Sequence, residues 1–178
     1  MGCERVLKQF SPDRMLNSPF GITATHIKSL GKTTILTDLD NTLLAWDEMD
    51  ATHEIINWFT LLEAEGIKVM ILSNNSEERV ERVARATRIP FLAKAKKPLR
   101  KNFQKALREL DSTPEETIMI GDQIMTDIFG GNRQKLMTIF VRPVKETDGL
   151  ATKFNRFMER IILKRLAKKQ PMEWEDSL

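Results

Sequence analysis

Two aspartates one residue apart, Asp38 and Asp40, close the apolar run Thr33-Thr34-Ile35-Leu36-Thr37. Carboxylates leaving a buried strand repel each other and lose hydration, so a cation or a proton must offset them. Phosphoryl transfer meets both needs. Asp38 can attack phosphorus in line to give an aspartyl-phosphate. Asp40 can protonate the leaving oxygen and then deprotonate the attacking water. A lone Asp-x-Asp at a strand end is also a common acidic turn, so the chemistry rests on what else the chain brings.

Three further clusters bear on it. Ser73, after Ile67 to Leu72, can donate its hydroxyl to a phosphoryl oxygen, with the backbone amides of Asn74 and Asn75 beside it. The bland alternative is that Ser73-Asn74-Asn75 only caps the next helix. Lys97, before Pro98, can neutralise the phosphate and the nucleophile's carboxylate. Lys94, Lys96, Arg100 and Lys101 lie nearby, and the sequence does not separate Lys96 from Lys97. In Gly121-Asp122-Gln123-Ile124-Met125-Thr126-Asp127 the glycine permits a tight turn, and Asp122 can complete a hard-oxygen Mg²⁺ site. Asp127 would support that site through water or by holding Lys97. His26 and His53 stand in no ligand cluster with Cys3, which argues against zinc.

The elements that must position these residues alternate. Strands are expected at Thr33 to Thr37, Ile67 to Leu72, Ile89 to Leu92, Ile118 to Ile120 and Met137 to Val141, as continuous apolar runs covered on both faces. Between them lie helical patterns. Ala51 to Glu65 places Ile55, Ile56, Phe59, Leu61 and Leu62 on one face and stops before Gly66. Ser76 to Arg88 opens on a capping serine and two acids. Leu99 to Leu110 follows Pro98, Thr113 to Glu116 reads as a capped turn, and Asp127 to Gln134 is brief and broken by Gly130-Gly131. Strand and helix in alternation predict an α/β, doubly wound, Rossmann-like fold with a mainly parallel sheet. Its ligand site lies beyond the carboxyl ends of the strands, where the four clusters fall.

In that order the motifs resemble the haloacid dehalogenase superfamily: Asp-x-Asp-x-Thr, a serine after a strand, a lysine, then Gly-Asp with a further Asp. The resemblance implies that Asp38 is the nucleophile, Asp40 the general acid/base, and Thr42 the residue that orients the first loop. Ser73 would bind the phosphoryl group and Lys97 neutralise charge. Magnesium would be held by Asp38, the backbone carbonyl of Asp40, and Asp122. An Asp at position 40 is the phosphatase pattern. Phe10-Ser11-Pro12-Asp13, Thr37 to Leu43, Ala93 to Pro98, Ile120 to Gln123, Gly131-Asn132-Arg133, Thr147-Asp148-Gly149 and Phe154-Asn155-Arg156 further resemble the bacterial YqeG family. That family is similar to mitochondrial phosphatidylglycerophosphate phosphatases, which implies phosphatidylglycerophosphate as substrate. Met125 departs from the Leu or Phe expected in the Gly-Asp loop.

The 178 residues suit one domain over 1–178, with 1–30 as an N-terminal extension and 151–170 as a basic C-terminal helix. One cysteine points to a reducing cytoplasm. Val6 stands where N-myristoylation wants Ser or Thr, and no apolar run approaches the roughly 20 residues needed to span a bilayer. Neither Thr42 to Ile67 nor Ser73 to Lys97 has room for a cap domain, which takes roughly 50 residues or more. An open site suits a phosphate on something large, such as a lipid headgroup. From Lys153 to Lys169 seven basic residues face one acid, Glu159. Arg156, Arg160, Lys164 and Lys168 form a stripe that can lie on anionic lipid at the inner face of the membrane. The same helix could instead dock its apolar face on the sheet. Alternatives are a capless phosphatase for a soluble or macromolecular phosphoester, and a basic RNA- or protein-binding module with a vestigial site. The absence of Tyr and of an aromatic platform speaks against nucleic acid.

Overall fold

The computed structural model describes residues 7–145, 153–167 and 173–178, with side chains in the last helix described from Glu159 onward. Cys3, the Thr147-Asp148-Gly149 motif, the side chain of Arg156, and Lys168 lie outside the described residues. Six parallel strands form one sheet in the order β1-β6-β5-β2-β3-β4. They are β1 Arg14–Leu16, β2 Thr34–Thr37, β3 Lys68–Leu72, β4 Phe91–Leu92, β5 Thr117–Gly121 and β6 Met137–Val141. The helices are α1 Ala24–Ser29, α2 His53–Ala64, α3 Glu77–Thr87, α4 Arg100–Glu109, α5 Phe129–Arg133 and α6 Lys153–Ala167.

Alternation within each strand builds two layers of core. Ile35, Val69, Ile71, Ile118 and Ile120 face Ile55, Phe59, Val80 and Val83 of α2 and α3. Leu36, Met70, Leu72 and Met119 face Phe103, Ala106 and Leu107 of α4. Apolar runs were needed in the strands because both faces are covered. The expected α/β doubly wound fold is the one observed. Between β2 and β3 the chain holds a loop and α2, and between β3 and β4 it holds α3.

Three features differ from the sequence reading. Gly130-Gly131 does not break its helix: a π-turn over Ile124–Ile128 runs straight into α5. A side chain at Gly131 would meet Thr138 at 2.7 Å, and one at Gly130 would meet Phe103 at 2.7 Å. The glycines therefore serve close packing on the sheet and α4. Leu61 is 67% exposed, and Trp58 takes its place in the buried face of α2, donating its indole N–H to the Ile22 carbonyl at 2.8 Å. The N-terminal residues add β1 and α1, which no periodicity announced. The tail returns beside β1, where Glu175 N–H donates to Met15 O and Asn17 N–H to Glu175 O.

Candidate active site

Register brings the first and last motifs together. β2 pairs with β5, Thr37 opposite Ile120, and Asp38 N–H donates to the Ile120 carbonyl at 2.9 Å. Asp38 and Asp122 therefore leave neighbouring strand ends, with β3 on the other side of β2. After Asp38 the chain turns on the Leu39 carbonyl, which accepts from Leu43 N–H at 2.9 Å. Asn41 sits at φ 60°, a left-handed position that asparagine tolerates better than most residues. This turn points Thr42 back, so that its hydroxyl donates to Asp122 Oδ1 at 3.3 Å.

Lys97 arrives from the far side. Ser73 N–H bonds to Leu92 O, Ala95 N–H to Ser73 O, and Lys94 N–H to Asn75 O. The Asn74 side chain then brackets Lys97: its amide donates to Lys97 O at 3.1 Å and its Oδ1 accepts from Lys97 N–H at 2.6 Å. Asn74, expected beside the phosphate through its amide, thus also fixes the lysine loop. Lys97 Nζ lies 2.7 Å from Asp38 Oδ1 and 2.7 Å from Asp127 Oδ1, and all three side chains are buried. Lys96 is exposed, so of the two lysines it is Lys97 that the structure brings into the acidic cluster. Asp127 is held by Gln123 N–H on Oδ2 at 3.1 Å. A Cβ at position 121 would fall 2.3 Å from the Asp127 carboxyl, so close approach as well as turning requires Gly121. Ser73 is buried at the end of β3, and its Oγ accepts from Asn75 N–H at 3.1 Å. The next helix is capped by Ser76, not by Ser73.

Asp40 stands apart from this cluster. Arg79 of α3 approaches its Oδ1 with NH2 at 3.0 Å and Nε at 3.1 Å, and Asn75 Nδ2 donates to Oδ2 at 3.0 Å. Arg79 was not foreseen. Its signal was present: Arg79, Val83 and Thr87 recur every four residues on the buried face of α3. The sequence reading took from this turn only its capping serine and the two acids Glu77 and Glu78.

Oxygen atoms of Asp38, Asp122 and Asp127 lie within 4.8 Å of one another, all buried. One lysine cannot offset three carboxylates in a low-dielectric site, so the set fits a hard divalent cation. Lys97 engages Asp38 and Asp127 alike, so the geometry offers all three carboxylates to such an ion. Burial pushes Asp127 up to about 6, opposed by the charge of Lys97 and reinforced by that of Asp38. Burial works against the Lys97 ammonium, but Asp127 and Asp38 outweigh it and hold its pKa above the usual range. Burial also raises Asp40, the Asp38 charge adds to this, and Asn75 and Arg79 oppose it.

Residues 6–133 match the haloacid dehalogenase-like hydrolase family. The chain is 44% identical over 169 residues to a protein named probable phosphatase YqeG from Bacillus subtilis, covering 95% of this chain and 98% of that one. Its fold is similar to the cobalt-bound deoxy-D-mannose-octulosonate 8-phosphate phosphatase of Haemophilus influenzae. That likeness has a TM-score of 0.54 and 18% identity, over 79% of this chain and 92% of the other. A haloacid dehalogenase superfamily hydrolase of subfamily III A from Legionella pneumophila is similar at TM-score 0.51 and 16% identity, over 80% and 89% of the two chains.

Proposed function

The chain belongs to the haloacid dehalogenase-like hydrolases and is a phosphatase; from that premise we propose that it hydrolyses phosphomonoesters through an aspartyl-phosphate on Asp38. The observation that carries this reading is the convergence of Asp38, Lys97, Asp122 and Asp127 at adjacent strand ends. In the first half-reaction an Asp38 oxygen bonds to phosphorus while the ester P–O bond breaks. Asp40 gives its proton to the departing oxygen. In the second, water attacks phosphorus and returns a proton to Asp40, and the Asp38–phosphate bond breaks to free inorganic phosphate. Lys97 holds Asp38 and offsets charge. Ser73 and the Asn74 amide bind phosphoryl oxygens, and Thr42 ties the first loop to Asp122. Asp38, Asp122 and the Asp40 carbonyl, with Asp127 in support, would hold Mg²⁺, which when bound would supply Lewis-acid stabilisation of the phosphoryl charge.

For the substrate we propose phosphatidylglycerophosphate, presented at the cytoplasmic face of a membrane. The support is the short intervals between motifs, which leave no room for a cap domain, and the exposed basic residues Arg160, Lys164 and Arg165 on α6. No helix among the described residues is long and apolar enough to cross a membrane. A soluble phosphoester is the second reading, favoured by the fold's likeness to a sugar-phosphate phosphatase.

A phosphate-release assay with Mg²⁺ tests both, offering phosphatidylglycerophosphate in mixed micelles, an aryl phosphate and mononucleotides. We expect preference for the lipid and loss of release from every substrate in Asp38→Asn. Better turnover of a soluble ester selects the second reading. Release that survives Asp38→Asn rules out Asp38 as nucleophile.

A further inference from the structure

Arg79 costs the protein stability unless it has a task. It is only 7% exposed and sits in the first turn of α3, where the helix dipole disfavours a cation. What it gains is Asp40, together with the Ala45 carbonyl, to which NH2 donates at 3.3 Å. The bonds to Asp40 are unequal on its two oxygens. Oδ1 faces the cation: Arg79 Nε–H donates to it at 3.1 Å, and Nη2 lies 3.0 Å away as an ion pair. Oδ2 takes only Asn75 Nδ2, at 3.0 Å, and Asn75 is exposed. The guanidinium charge disfavours a proton on Oδ1, so Oδ2 is the oxygen left to carry one.

We propose that Arg79 is the positioning residue for Asp40: by holding its cation against Oδ1, it makes Oδ2 the oxygen that exchanges protons with the leaving group and with water. The proposal rests on Asp40 as the general acid/base. A guanidinium suits the task because its rigid fork fixes the plane of the carboxyl group while also bonding the Ala45 carbonyl. That second bond anchors the fork to the loop that follows Asp40, so the acid and its holder move as one unit.

The test separates esters by their need for a proton. A 4-nitrophenolate leaves unaided, whereas an alkoxide needs Asp40 in the first half-reaction. Single-turnover release is measured with Mg²⁺ for 4-nitrophenyl phosphate and for the alkyl phosphomonoester that the wild type hydrolyses fastest. In Arg79→Met the alkyl step should fall by about 10²-fold, at the low end of what proton donation contributes. First-turnover release of 4-nitrophenol should fall far less. Arg79→Lys, which keeps the charge but lacks the planar fork that meets Oδ1 and Ala45 O together, should recover part of the alkyl rate. If Arg79→Met does not fold, Arg79→Lys carries the same comparison against wild type. Equal losses for the two esters, or no loss for either, would overturn the role of Arg79. Asp40→Asn is run alongside: if it shows no leaving-group discrimination, the reading of Asp40 itself fails, which is a different result.

Discussion

A lysine buried between Asp38 and Asp127 is a costly arrangement that only tight pairing sustains. Removing the cation in Lys97→Met leaves both carboxylates in place with their repulsion unmet. We expect a stability loss of about 3–5 kcal/mol in urea unfolding without metal. Mg²⁺ should stabilise the wild type, and the gain should shrink as pH falls. The sign follows from Asp127: its folded pKa, near 6, lies above the ordinary value, so protons occupy the cluster as pH drops through 6 and compete with the ion. Melting curves with and without Mg²⁺ at pH 7.5 and pH 5 check this, and a larger increment at pH 5 would refute it. The sequence made Asp38, Asp40, Ser73 and Asp122 legible because each sits at the end of an apolar run. It could not separate Lys96 from Lys97, because that choice is made by Asn74 across a gap of 23 residues. Arg79 escaped because burial of a charge is decided by a partner 39 residues away.

At the level of elements, the central strands were readable because both faces of β2, β3, β5 and β6 are covered, which writes their apolar runs directly. β1 spans three residues and depends on β6 and the returning tail for its bonds, and so short a segment has no periodicity to read. The glycine pair misled for a physical reason: glycine is a poor helix former in isolation, but here tertiary contact decides. Gly131→Ala should therefore destabilise the protein by about 1–3 kcal/mol through the clash with Thr138, despite alanine's better helix propensity. Thermal or chemical unfolding of that variant gives the answer, and a stabilised protein would show that packing at this position is loose.

Across the whole molecule, α6 links the basic tail to the site. Ile162 and Leu163 pack on Ile124 and Ile128, and Ile124 N–H donates to the buried Glu159 at 3.3 Å. The one acid of that basic segment thus touches the loop that carries Asp122 and Asp127. Of the two expectations, the described residues show the docked helix: the apolar side packs inward, and Arg160, Lys164 and Arg165 are exposed. Salt should weaken liposome binding. Reversing Arg160 and Lys164 to glutamate should reduce it further, read by co-sedimentation with anionic vesicles; unchanged binding would assign the stripe another purpose. All of this presumes one event at the centre, the transfer of phosphate to Asp38. Acid quenching during turnover of a radiolabelled phosphoester, followed by peptide mapping, observes it directly. The account predicts label on the peptide containing Asp38, removable by hydroxylamine as an acyl phosphate must be. Label on another residue, or none under conditions of rapid turnover, would contradict it.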